Sequence, residues 1–235
     1  MTTQPDRIHS RRRFLLAGGA SALGAATLAA CSGSSVVNTS GTVATTLTPP
    51  TAPPTTADEA TLAAARSLLR TATSLEHSLT AFYAKFNAAA YLNSDAQPWG
   101  TQFAGHHRAN ASALEALTTH AQGKPYTNTN DYVDEQLVAP ALKLADSTKS
   151  STRLINLAAQ LEATGAATCT LAVSTLVDAD QRRGIMAVGA TDARQAYLWR
   201  LFGGAGDLAA ALPDALLSLR DALPGTASVD PAPSD

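Results

Sequence analysis

The chain has 235 residues, 45 % of them apolar, and a formal charge of −2. That length and apolar content suit one domain with appendages, and the near-neutral charge excludes the basic field that nucleic-acid binding needs. Alanine and leucine prevail and aromatic residues make up only 5 %, a balance that favours helix over strand.

Residues 1–31 read as an export signal. Ser10-Arg11-Arg12-Arg13-Phe14-Leu15 carries a twin-arginine pattern, and a Gly- and Ala-rich apolar stretch runs from Phe14 to Ala30. The stretch is shorter than the roughly 20 residues of a spanning helix. It ends in Leu28-Ala29-Ala30-Cys31, which resembles a bacterial lipobox. Arg11 and Arg12 are therefore the expected export signal and Cys31 the expected lipidation site. The expected location is the outer face of a bacterial cell membrane, with the membrane as partner through the lipid. Twin-arginine export carries folded proteins, as the resemblance implies. Residues 32–57 are Ser, Thr and Pro with almost no charge, a composition that stays disordered and acts as a tether. The only other cysteine, Cys169, is left without an intramolecular partner and reads as a small buried apolar residue.

Residues 58–222 read as the folded domain. Thr56-Ala57-Asp58-Glu59 is a capping-box signal, and the first helix is expected to reach about Leu92. Its apolar stripe is Leu62, Ala65, Leu69, Ala72, Glu76, Leu79, Tyr83. The second helix follows Pro98 and ends before Gly123, with the stripe Phe103, His107, Asn110, Leu114, Leu117, Ala121. Residues 123–150 are too long for a hairpin loop and suit a crossover with a short helix interrupted by Pro140. The third helix begins near Ser150 or Ser151, with Ile155, Ala158, Glu162, Gly165, Cys169, Ala172, Leu176 inward. A polar turn at residues 178–183 leads to the fourth, with Ile185, Val188, Asp192, Gln195, Trp199, Phe202 inward and an end or kink at Pro213. A last short helix reaches Ala222, and residues 223–235 read as a disordered tail. Tyr83, Trp99 and Trp199 read as packing, and Arg182 and Arg183 as a solvated pair.

Every helix thus places polar residues on its core stripe: Glu; His-x-x-Asn; Glu; Asp-x-x-Gln. A carboxylate buried alone costs several kcal/mol or takes a proton. Three in one bundle need protons, a histidinium or a metal ion.

This arrangement resembles the ferritin-like superfamily of di-metal carboxylate proteins. Leu75-Glu76-His77-Ser78-Leu79-Thr80-Ala81-Phe82-Tyr83 is similar to the first-helix pattern of secreted bacterial members, and Leu161-Glu162-Ala163-Thr164-Gly165 to their third-helix pattern. His107-Arg108-Ala109-Asn110 and Asp192-Ala193-Arg194-Gln195 fall where Glu-x-x-His would stand. The resemblance implies an all-α, up-down four-helix bundle with a long crossover between helices two and three. It implies inward metal ligands at Glu76, His107, Glu162 and Asp192, with Asn110 and Gln195 at the terminal histidine positions. There the chain departs from the family, because His and Asp replace the bridging Glu residues and amides replace both histidines. An amide oxygen is a poor transition-metal ligand compared with imidazole.

Three states of this centre stay open: a metal-free network with a protonated His107 between Glu76 and Glu162, one Fe, Mn or Zn ion, or a working pair of ions. The expected function is a non-enzymatic envelope lipoprotein that binds or supports an envelope protein or a second copy of itself. The alternative is a metal-binding, oxidase-like, peroxide- or iron-handling protein, so enzymatic activity is left open.

Overall fold

The computed structural model describes residues 57–204 and 221–232. Arg11, Arg12, Cys31, the linker up to residue 56 and the expected kink at Pro213 lie outside these residues. Among the described residues there are helices and no strand, and no helix is long and apolar enough to cross a membrane.

Helix α1 spans Glu59–Ala88. Its cap is Asp58, whose side chain accepts from the Thr61 amide at 2.8 Å, so the cap lies two residues past the expected Thr56. It also stops short of Leu92, because Ala89 turns extended and Asn93 organises a turn by accepting from the Asp95 amide. Helix α2 spans Gln97–His120 with Pro98 in its first turn, where a missing N–H is harmless. The crossover holds a π-helical turn, Val133–Val138, that runs directly into α3, Ala139–Thr148. Pro140 therefore does not interrupt the helix. It falls where the wide turn tightens into α-helix, at the start of α3. Helix α4 spans Ser151–Thr175, capped by Ser150, and α5 spans Ala179–Phe202, capped by Asp178. The expected polar turn is thus the first turn of α5. Arg182 reaches back to the carbonyls of Leu176 and Val177 beyond the end of α4, so it is a capping group rather than a solvated charge. Helix α5 ends at Phe202, well before Pro213, as Gly203 caps it and Gly204 follows at φ 91°.

Helices α1 and α2 form one hairpin and α4 and α5 the other; α1 packs on α4 and α2 on α5. This is the all-α four-helix bundle, with its long crossover between the second and third long helices, that the resemblance implies. The α4–α5 approach is close because Gly189 faces Cys169, where an added Cβ would stand 2.7 Å from the cysteine Cβ. The apolar core forms two lobes. One is aromatic, with Phe82, Tyr83, Phe86, Phe103 and Trp199. The other is smaller and aliphatic, with Leu69, Leu114, Cys169, Ile185 and Val188. Each large apolar side chain buried there contributes about 1.5–3 kcal/mol. Between the lobes, at one level of all four helices, lie the inward polar residues.

The C-terminal segment corrects the expected disordered tail over its described part. Residues 221–232 lie along the bundle as a strap. The strap receives Arg66 on the Pro231 carbonyl at 3.1 Å and Arg70 on the Asp230 carbonyl at 2.6 Å. Thr71 Oγ1 accepts from the Val229 amide at 2.9 Å, and Ser67 donates to the Val229 carbonyl at 2.7 Å. Asn130 ties strap, crossover and α1 together: its amide donates to Ser74 Oγ at 2.8 Å and to the Ala227 carbonyl at 2.9 Å, and its oxygen accepts from the Val133 amide at 3.2 Å. As a result the middle of α1, from Leu69 to Leu79, is buried nearly all round.

Replacing Asn130 by Ala leaves the Ala227 carbonyl and the Val133 amide buried without that partner. The expected loss is about 1–3 kcal/mol of stability in chemical denaturation. Wild-type stability in this variant would show that strap and crossover hold α1 without it.

Candidate functional site

The polar layer is built by one turn from each long helix. Glu76 of α1 and Glu162 of α4 face each other across the bundle, and His107 of α2 lies between them. His107 Nδ1 is 2.7 Å from Glu76 Oε2, and Nε2 is 3.1 Å from Glu162 Oε1. All three are buried to 1 % exposure or less. Tyr83 donates its hydroxyl proton to Glu162 Oε1, and Trp199 Nε1–H donates to the Tyr83 oxygen at 2.6 Å. The Tyr83 ring stacks on His107 with centroids 5.4 Å apart. Trp199 and Tyr83, read chiefly as packing, therefore also hold a carboxylate in place. The signal for this was present in the stripes, since a buried indole N–H or phenol needs a partner.

Asp192 of α5 completes a trio with Glu76 and His107, each offering a ligand atom within 4.8 Å of the others. Both Asp192 oxygens are buried and accept no hydrogen bond from a described residue. Gly165 makes room for this carboxylate on the facing helix: a Cβ there would stand 2.5 Å from Asp192 Oδ2. Glu162, the fourth expected ligand, lies outside the trio and has an unpaired Oε2.

The two amides behave differently. Asn110 donates to Glu76 Oε2 at 3.3 Å, on the edge of the layer. Gln195 turns its Nε2 to His106 Nδ1 at 3.2 Å, away from the carboxylates, and leaves Oε1 buried and unpaired. His77 meets Glu115 near the surface at 3.1 Å.

The electrostatics follow from burial. Burial opposes a charge on His107, but Glu162 and Glu76 outweigh it and hold the imidazole pKa well above its usual value. Burial raises the Glu162 carboxyl, against the opposing effects of His107 and Tyr83. Burial, with Glu76 adding to it, pushes Asp192 well above the ordinary carboxylate range. Tyr83 rises well above its normal value by burial and by the negative charge of Glu162. Without a cation, His107 and Asp192 thus both hold their protons more tightly than the free side chains do.

This donor set does not fit a pair of ions. Asn110 and Gln195 stand at the terminal positions, and both point their NH2 groups at neighbours already described. One imidazole and two carboxylates converge, which suits a single ion of the Fe, Mn or Zn kind.

Two predictions follow from the geometry. Gly165→Ala forces Asp192 to move and is expected to lose about 1–3 kcal/mol. Gly105→Ala, in α2 with nothing within 4 Å of a Cβ, is expected to gain about 0.5–1 kcal/mol. Denaturant titrations of both variants check the pair, and an unaffected Gly165→Ala would mean that Asp192 has room elsewhere. The second concerns pH. His107, Glu162 and Asp192 bind protons more tightly folded than unfolded, so each adds stability that is complete below its unfolded pKa and lost as pH rises through the folded one. For His107 the loss begins above about 6.5. In chelator, stability should fall as pH rises, from about 4 for the two carboxyls and more steeply from about 6.5 where His107 joins them, by up to about 1.4 kcal/mol per pH unit for each proton, and the melting temperature should fall with it. His107→Gln should flatten this slope. A wild-type melting temperature level through neutral and mildly alkaline pH would show that His107 carries no extra proton.

Compared with known proteins, the ferritin-like domain family matches residues 64–204. No curated protein matches the chain, and no solved structure does. The matched span runs from the first turns of α1 to the end of α5 and includes the whole polar layer. The chain belongs to the ferritin-like domain family.

Proposed function

We propose that this protein is an exported ferritin-like lipoprotein, tethered to the outer face of a bacterial cell membrane through Cys31. In this reading the bundle has given up two-metal oxygen chemistry and serves as a rigid, non-enzymatic binding or structural module in the envelope. One observation carries the loss of that chemistry: amides stand at both terminal ligand positions, and their NH2 groups donate to Glu76 and reach His106. A dinuclear centre needs imidazole or carboxylate lone pairs there. The tether reading is supported by the twin-arginine pattern, the apolar stretch, Cys31 and the Ser/Thr/Pro linker that follows. A folded core held by internal hydrogen bonds also suits a route that carries folded cargo.

Arg11→Lys with Arg12→Lys should leave the protein in the cytoplasm, and Cys31→Ser should move it from the membrane to the soluble fraction. Cell fractionation reads both. A Cys31→Ser protein that still sediments with membrane overturns the lipid anchor. For the chemistry, purified protein supplied with ferrous iron should consume dioxygen and hydrogen peroxide no faster than iron in buffer. Turnover above that background would establish the oxidase-like function instead.

A further inference from the structure

We infer that the polar layer holds one divalent cation on Asp192, Glu76 and His107, and that Glu162 orients His107 instead of binding the ion. The inference rests on the layer alone and is independent of where the chain is delivered. Asp192 is fully buried, and no N–H or hydroxyl of a described residue donates to either of its oxygens, which have the Glu76 carboxyl as their neighbour. Gly165, with no side chain, lets that carboxylate sit against α4. A buried carboxyl with two unpaired oxygens takes either a proton or a cation, and the convergence of Glu76 and His107 on Asp192, but not on Glu162, suits the cation.

The trio has the right spread. Ligand atoms about 2.0–2.2 Å from a common ion stand at most about 4.4 Å apart, and the three donor atoms here lie within 4.8 Å of one another before any ion draws them in. The ion's own ligands are balanced, two carboxylates and a neutral imidazole against one divalent ion, and the third buried carboxylate, Glu162, is met by His107 Nε2–H and the Tyr83 hydroxyl. A second ion has no comparable set, since Asn110 and Gln195 offer only amide oxygens at the remaining positions.

His107 can bind a metal through one nitrogen only if the other carries the proton. Nε2–H then donates to Glu162 Oε1 at 3.1 Å, which leaves the Nδ1 lone pair on the side of Glu76. Glu162 is itself held, because Tyr83 donates to the same oxygen and Trp199 donates to Tyr83. A carboxylate behind a metal-bound histidine fixes its tautomer and ring plane. Glu162 is thus a positioning residue, and the chain Trp199–Tyr83–Glu162–His107 is the support of the ion site.

The full chain, stripped with chelator and held in detergent, is titrated with Mn(II) and separately with Zn(II). One ion per chain is expected by elemental analysis after dialysis, with an Mn(II) EPR spectrum of an isolated ion. Asp192→Asn should weaken Mn(II) binding at least 100-fold. Glu162→Gln should weaken it about 10–100-fold, keep the one-ion stoichiometry and alter the hyperfine pattern of the bound ion. Circular dichroism checks that both variants fold; if either does not, the wild-type stoichiometry and spectrum decide. The inference is overturned by no binding of either ion at millimolar concentration, or by two ions per chain with a coupled spectrum. Equal loss of binding in Asp192→Asn and Glu162→Gln overturns the role given to Glu162. Failure of export leaves all of these readings unchanged.

Discussion

An imidazole wedged between two buried carboxylates is the constraint around which this bundle is organised. Charge placed in a low-dielectric core must be compensated on the spot, because removing one partner strands the others. His107 can meet Glu76 and Glu162 together only if α1, α2 and α4 hold one fixed register. Helix α5 is brought to the same level by Asp192, and Gly165 and Gly189 allow it to come close to α4. The apolar core is divided by this requirement into two lobes, neither of which alone would specify the register.

The two lobes do different work. The aromatic one supplies polar edges as well as bulk: Tyr83 and Trp199 reach the layer with O–H and N–H groups and brace Glu162 from below. The aliphatic one contains small residues such as Cys169 and Ala172 that set helix spacing. The thiol of Cys169 is held well above its usual pKa by burial and by Asp192 and Glu76. It is therefore an inert packing group.

The four long helices were legible because their apolar residues recur at helical spacing, and the polar interruptions on those stripes located the layer residue by residue. Side-chain pairing within the layer was only partly legible. Helical phase places Gln195 inward, but it cannot say that its NH2 turns to His106 across the neighbouring helix. Pro140 read as a break because the rule for proline assumes a regular α-helix on both sides, whereas here a π turn precedes it. The C-terminal strap was missed for a related reason. Its composition has no periodicity, and its attachment is largely by backbone carbonyls and amides, which every sequence possesses. The readable half of that contact was on α1, where Arg66, Arg70, Thr71, Ser74 and Ser78 form a polar flank that is buried. Two arginines one turn apart look like a solvated face unless something is known to cover them.

That flank also bears on how the protein is made. The hydrogen bonds from Arg66 and Arg70 to the strap join residues 165 and 160 positions apart. On a ribosome, α1 emerges first and waits for almost the whole chain before its outer side is covered. Contacts of such long sequence separation form late. A nascent helix with an apolar flank would be prone to aggregate over that interval. Guanidinium groups and hydroxyls stay hydrated instead until the strap arrives to accept their hydrogen bonds.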